Sequence, residues 1–516
     1  MEQIHLNPAT DPDRRLILKS AVATVAAFMG PAGYAGTSGQ ALSFTAVPAS
    51  LRDTVVVPPE YEYQVIYRWG DPTGIGSALP AFRPDASNTA EDQALQAGMH
   101  HDGMHFFPLG SDGRRALLVL NHEYTDEQQL HADGAAPLTA AKVRKSQHAV
   151  GVSVIEIERL PSGWRQVLPS GYARRIHART PMHIAGPAAG SALLRTAADP
   201  SGREVLGTLA NCAMGVTPWG TYLTCEENFH GYFGADKSLG GTSDAAARRY
   251  GTTPGGQWVD WYRFDERFDV LKHPNESHRF GWVVEIDPMD PASPPIKRTA
   301  LGRKCTESAT CTLTRDGRVA VYMGDDARFE FIYKFVSRDR VRPGGYAANR
   351  DLLDHGTLYA ARFDASGQGA WLELTHADPS LTGANRHADQ ADVLVHARMA
   401  ASARGATPMD RPEWVAIHPS TAEVFVSLTN NSQRGAPGRP AVDAANPRAN
   451  NLGGHIMRWT EAGADAAATT FTWSHFVLAG DPAVPGTDAR YPSPQADAFG
   501  APDGLHFDSA GLLWIQ

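Results

Sequence analysis

Four segments of the chain share one grammar: a turn, an apolar or alternating run of four to six residues, then a polar cluster. They are GSDGRRALLVLNHEY from Gly110, VTPWGTYLTCEENF from Val216, TRDGRVAVYMGDD from Thr314 and HPSTAEVFVSLTNNS from His418. A fifth segment, HFDSAGLLWIQ from His506, begins the same way. Short β-branched and aromatic runs bounded by turn residues read as strands. The clusters fall at Asn121, Glu226, Asp325 and Asn430, at intervals of 105, 99 and 105 residues. At ~40–50 residues per blade of a propeller repeat, each interval corresponds to about two blades. The expected fold is therefore an all-β propeller, in which strand ends from separate blades converge on one axial site.

Helix signals are few. Short stretches between Thr139 and Arg144 and between Gln390 and Arg398 look helical, while 49 Gly and 36 Pro punctuate most of the remainder. These helices and the loops around them are expected as insertions in the β framework.

Convergence would make neighbours of His122-Glu123, Glu226-Glu227, Asp325-Asp326 and Asn430-Asn431. Carboxylates crowded in this way repel one another unless cations offset their charge. Asp, Glu and Asn oxygens are the ligand set of hard ions such as calcium. One acidic strand end alone would read as a solvated turn; four after similar strands point to a site. The net charge of -9 gives no basic footprint for nucleic acid, so small or cationic partners fit better. With 42% hydrophobic and 20% charged residues the chain is globular, not disordered.

The four cysteines, Cys212, Cys225, Cys305 and Cys311, form no CxxC pair and no zinc-finger spacing. A Cys305–Cys311 disulfide stays open at this level. At the N-terminus, DPDRRLILKSAVATVAAFMGPAGYAG sets Arg14 and Arg15 before an apolar run, Ala21 to Met29, and small residues from Ala32 to Ala35. This is signal-peptide anatomy, too short to span a bilayer, and the twin arginines resemble a twin-arginine export signal. The expected layout is a signal over residues 1–35 and a propeller over 36–516. The twin-arginine translocase would be a partner during export, and the mature protein would work in the periplasm or outside the cell, off the membrane.

Several longer stretches are more specific: GMHHDGMHFFPLG, LLVLNHEYTD, NCAMGVTPWGTYLTCEEN, FGWVVEIDPMDP, KRTALGR, VYMGDDARFEFIYKFV, GATPMDRPEWVAIHP, DAANPRANNLGGHIMRW and PDGLHFD. Together, in one order from about Gly98 to the last residue, they resemble the PhoX family of secreted alkaline phosphatases. The resemblance implies a six-bladed propeller that hydrolyses small phosphate monoesters with calcium and iron(III), and a monomeric working form. It implies Glu226 and Glu227 as metal ligands, with Glu307, Asp325, Glu330, Glu413 and Asp503 as further candidates. Arg328 would grip the substrate phosphate, with Glu330 beside it as a catalytic carboxylate. A thiolate ligand to iron is also implied; Cys212 is the candidate, with a buried apolar role its equal alternative.

One departure from the family pattern follows ALGR, where an aromatic residue and a His precede the Glu. This chain reads Lys304, Cys305, Thr306, Glu307. Glu307 is retained, the missing His removes a contact that would orient it, and Cys305 becomes a possible ligand. Arg328 supplies a planar fork suited to a phosphoryl group, though it could instead pair with Asp325 or Asp326. No G-x-S-x-G elbow and no P-loop occurs. GMHHDGMH lacks the HExxH pattern and reads as a loop packed beneath the channel. Trp219, Trp282, Trp414 and Trp459 read as core between blades. Two other functions stay in view: a calcium-dependent propeller of another class, lactonase-like, without a phosphate-gripping Arg, and a non-catalytic binding propeller. The family continues beyond GLLWIQ, so an incomplete ring with a gap near its C-terminal end is expected.

Overall fold

The computed structural model describes residues 44–48, 50–77, 79–239, 244–382, 387–484, 487–492 and 497–516. The export signal read over residues 1–35 lies outside the described residues. The architecture is mostly β. His101–Pro108, Arg115–His122, Gly151–Leu160 and Gly163–Gln166 form a first antiparallel meander, with Arg174–Ile176 also paired to its third strand. In the second sheet Asn211–Val216, Tyr222–Glu226, Val283–Ile286 and Ile296–Arg298 follow in order; Pro181–Ala185 then pairs parallel and Glu204–Leu206 closes the edge. A nine-stranded sheet holds two further meanders, Thr306–Leu313 to Gln368–Glu373 and Pro412–Ile417 to Thr470–Leu478. Leu505–Phe507 and Leu513–Ile515 make a final hairpin.

From one polar cluster to the next the chain enters one further meander of paired strands. The repeat is diluted by excursions. Residues 123–150 carry the helix Ala140–Ala149, capped by Thr139, and residues 227–282 run through short helical turns. After Gln368–Glu373 the chain leaves for the helices Gln390–Val395 and Ala397–Arg404.

The strands that end in the clusters each lie second from the edge of their meander. The strands that adjoin from sheet to sheet are the first ones: His101–Pro108 against Asn211–Val216, that against Thr306–Leu313, then Pro412–Ile417, then Leu505–Phe507. Glycine permits the closest approaches. A Cβ on Gly103 would stand 2.8 Å from the Cys212 carbonyl oxygen, and one on Gly215 would overlap the carbonyl of Ala309. Between sheets lie Trp282 and Trp459, fully buried, and Trp219, whose indole N–H donates to Glu285. Trp414 is only partly buried and borders a cleft of about 640 Å³ between the first strand and the last hairpin.

Candidate metal centre

Antiparallel pairing puts the start of each first strand beside the end of each second strand. His101 faces His122, Asn211 faces Glu226, Thr306 faces Asp325 and Pro412 faces Leu428. Just past each of these pairs the register slips, between His101 and Met104, Asn211 and Met214, Glu307 and Thr310, and Pro412 and Val415. Such bulges re-aim a side chain and recur beside functional sites. Each one aims the second residue of its strand: Asp102, Cys212, Glu307 and Glu413.

Backbone strain marks the same positions. His100, Ala210, Arg411 and Ala501 all have left-handed φ, between 49° and 57°, two residues before Asp102, Cys212, Glu413 and Asp503 respectively. Non-glycine residues hold such angles only where the surroundings enforce them. A second repeated contact enforces them here. The amide of Glu123 donates to the His100 carbonyl at 3.0 Å, Glu227 to Ala210 at 2.9 Å, Asp326 to Cys305 at 2.9 Å and Thr429 to Arg411 at 3.2 Å. Three carboxylates from the second strands are thereby set beside the ring from the first strands.

Three trios result, each with one ligand atom per residue within 4.8 Å of the others: Asp102, Glu123 and Cys212; Cys212, Glu227 and Glu307; Glu307, Glu413 and Asp503. Cys212 and Glu307 each belong to two trios, so the three form a connected row. The Cys212 sulfur lies 3.1 Å from both Asp102 Oδ2 and Glu307 Oε1. A thiol has one proton to donate and cannot satisfy both, whereas a cation among the three would. Glu307 Oε2 and Asp326 Oδ1 are buried and accept no hydrogen bond among the described residues, so the donor set fits metal.

The electrostatics agree. Burial first, then mutual repulsion, holds Glu227, Glu307 and Glu413 well above the usual carboxylate range. The same causes push Glu123 up to about 8 and Asp503 up to about 6. Burial, and then neighbouring carboxylates, lift the Cys212 thiol. A carboxyl with a raised folded-state pKa binds its proton more tightly folded than unfolded. Stability from that difference is complete below the ordinary range near 4–4.5 and is lost as pH rises through about 6 to 8. The metal-free protein should therefore melt at progressively lower temperature between pH 5 and pH 8, and saturating cations should flatten that slope. A metal-free melting temperature that rises over this interval would contradict the crowding.

Adjacent strand residues point to opposite sides, so Glu123 and Glu227 reach the row while their neighbours His122 and Glu226 do not. Glu226 turns into its sheet, where Lys297 Nζ lies 2.6 Å away and the amides of Gly281 and Trp282 donate to it. Asp325 is held by Arg398, at 2.9 Å from Nε and 2.5 Å from Nη2. Glu330 is clasped by Arg249 at 2.5 and 2.9 Å. The structure does not bring Glu226, Asp325 or Glu330 into a trio; it does bring Cys212, Glu227, Glu307, Glu413 and Asp503 together. In the fourth predicted pair Asn431 turns elsewhere, donating to Asp410 in a buried network with Arg434 and Asn451. Cys305 is outside the trios, its sulfur 3.8 Å from His230 Nδ1, and all four cysteines are free. Thr306, where the family has His, leaves its hydroxyl buried and unpartnered.

Glu123 and Asp326 were read as members of converging pairs but not as ligands, and Asp102 and Arg411 were not read into the site. GMHHDGMH is a strand from His101 onward, not a loop, and its Asp102 occupies the position of Cys212 and Glu307 in their strands. Aligning first strands instead of second ones would have found it. Arg411 bonds Asp326 at 2.5 Å and Glu413 at 3.2 Å. Arg328 pairs by backbone with Asp410, close enough to Arg411 for the two charges to repel. Its guanidinium is exposed and makes no ion pair among the described residues; Asp325 and Asp326 are taken by Arg398 and Arg411.

A family model described as alkaline phosphatase PhoX matches residues 42–516. Among solved structures the chain is similar to Pseudomonas fluorescens PhoX in complex with vanadate, a transition state analogue, with 48% identity and a TM-score of 0.86 over 92% of this chain and 83% of that one. A search of curated proteins gives no match. With a linked carboxylate–thiol row flanked by two guanidinium groups, and with sequence and fold both matched over nearly its whole described length, the chain belongs to the PhoX family of alkaline phosphatases.

Proposed function

We propose that the protein is a metal-dependent phosphomonoesterase whose row of ligand trios holds calcium and iron(III). The observation that carries this is the linked row of carboxylates around the buried Cys212, with Glu227, Glu307 and Glu413 buried, and with Arg411 and an Arg328 that makes no ion pair among the described residues at its edge. The all-oxygen trio of Glu307, Glu413 and Asp503 suits calcium. The thiol of Cys212, beside Glu227, suits a transition metal. When bound, such cations offset the charge that builds on attacking and leaving oxygens in phosphoryl transfer.

The chain's own residues do the positioning. Carboxylates that repel one another are locked in place by the bulged strands and the four repeated amide bonds, so the site needs little rearrangement when ligand arrives. Arg411 is anchored on two of those carboxylates, and Arg328 is left with its fork available to an incoming phosphate. The complex of the P. fluorescens relative with vanadate, named as a transition state analogue, supports a phosphoryl-transfer function. A lactonase-like or purely binding role would leave the Arg328 guanidinium without a task.

The sheets whose first strands adjoin in series support a propeller, with six blades as the family resemblance implies. Arg14, Arg15 and the run to Met29 support twin-arginine export to the periplasm or beyond; fractionating cells that make the full chain tests it. For function, purified protein should hydrolyse a generic aryl phosphate, lose that activity on chelation and regain it with calcium, while elemental analysis reports both calcium and iron. Full turnover by a verified metal-free sample would overturn the reading.

A further inference from the structure

We propose that His387, Asp392 and His396 form a second metal site, distinct from the carboxylate row, for one divalent transition cation such as zinc or cobalt. One ligand atom from each lies within 4.8 Å of the other two. His396 Nδ1 stands 2.6 Å, and His387 Nδ1 3.3 Å, from the same oxygen, Asp392 Oδ1.

The local chain builds this convergence. Asp389 caps the helix Gln390–Val395 through the Asp392 amide, and Asp392 and His396 are four residues apart, on one helix face. His396 leaves the helical path, with φ -112° and ψ 42°, between that helix and Ala397–Arg404. Its ring turns back over Asp392 as a result. His387 is fixed by backbone: its amide donates to the Leu381 carbonyl at 3.1 Å, and its carbonyl lies 3.0 Å from His376 Nε2. Asp392 Oδ2 accepts the Ala388 amide at 2.8 Å, which orients the carboxylate and leaves Oδ1 to the imidazoles. The three side chains are 8%, 18% and 15% exposed, so the cluster is sheltered yet reachable. On the far side the His278 ring meets His396 edge-on at 5.5 Å.

Two imidazoles and one carboxylate are a nitrogen-rich set that favours zinc, cobalt, nickel or copper over calcium. Three protein ligands leave a fourth position for water. The bland reading, an aspartate that merely accepts two imidazole N–H groups, gives the same contacts without a cation. The two differ in what the site binds. A cation here would also brace the helix Ala397–Arg404, whose Arg398 holds Asp325, the neighbour of Asp326.

The test uses the full chain with the carboxylate row saturated by its own metals, titrated with cobalt(II) and followed by visible absorption and elemental analysis. The native protein should take up one further equivalent with a ligand-field band, and zinc should displace it and raise the melting temperature. His387→Gln/His396→Gln should lose that equivalent while keeping the other metals. Asp392→Asn retains an acceptor oxygen, so a hydrogen-bonded clamp would survive in it, whereas cobalt affinity should fall by about tenfold or more. No cobalt bound beyond the row in the native protein, or equal uptake by native and Asp392→Asn protein, would overturn the proposal.

Discussion

Glu307→Gln should abolish turnover of an aryl phosphate, by more than about 10²–10³-fold, a loss at least as large as that for removing one preorganised charge-stabilising group. Glu307 stands in two of the three trios, so its loss disturbs both. It is also buried, with one oxygen against Cys212 and the other without a hydrogen-bond partner. Gln keeps the size but replaces one of those oxygens by an amide that cannot bind a cation. Asp102 offers the instructive contrast, because it stands in one trio only. Asp102→Asn should cost less activity and, by elemental analysis, fewer metals than Glu307→Gln. Equal metal content and near-native rates in Glu307→Gln would mean that the row is not the seat of catalysis.

What the sequence disclosed and what it hid follow from one geometric fact. Alternating runs ending in carboxylates are readable because strand periodicity and turn residues are local signals. That they meet is readable because they recur. Which carboxylate of each pair faces the meeting point is not local: it depends on the side toward which the preceding strand is turned, a property of the whole sheet. Glu226 and Asp325 were thus as plausible as Glu227 and Asp326. Burying them required Lys297 and Arg398, which lie 71 and 73 residues away along the chain. Asp102 was hidden for a different reason. Its motif GMHHDGMH was read as a loop for lack of an HExxH pattern, and in the structure His100 stacks on Tyr124 and His101 on Tyr67. The spacing between clusters is lengthened by the excursions between strands, such as the helix Ala140–Ala149 and the turns between Tyr222–Glu226 and Val283–Ile286.

Arg328→Ala should lower kcat/KM by roughly 2–4 kcal/mol if the guanidinium stabilises charge in the transition state as a preorganised donor does. The competing view was that Arg328 pairs with Asp325 or Asp326. Both acids are already held, by Arg398 and by Arg411 at 2.5 Å each. Arg328 therefore supports no ion pair whose loss would loosen the fold, and its backbone is fixed independently by pairing with Asp410 and by the Phe329 amide bonded to the Met409 carbonyl. The side chain can change without moving the strand. Partial burial and then repulsion from Arg411 disfavour the Arg328 charge, which Asp326 partly offsets, and a phosphate dianion beside it would favour that charge. Lys at 328 should rescue little, since a single ammonium lacks the two-pronged geometry. The decisive comparison is between Arg328→Ala and Arg411→Ala. The first should keep its metals and its melting temperature while losing rate. The second, which frees Asp326 and Glu413, should alter metal binding as well. Early melting or metal loss in Arg328→Ala would make Arg328 a structural residue after all.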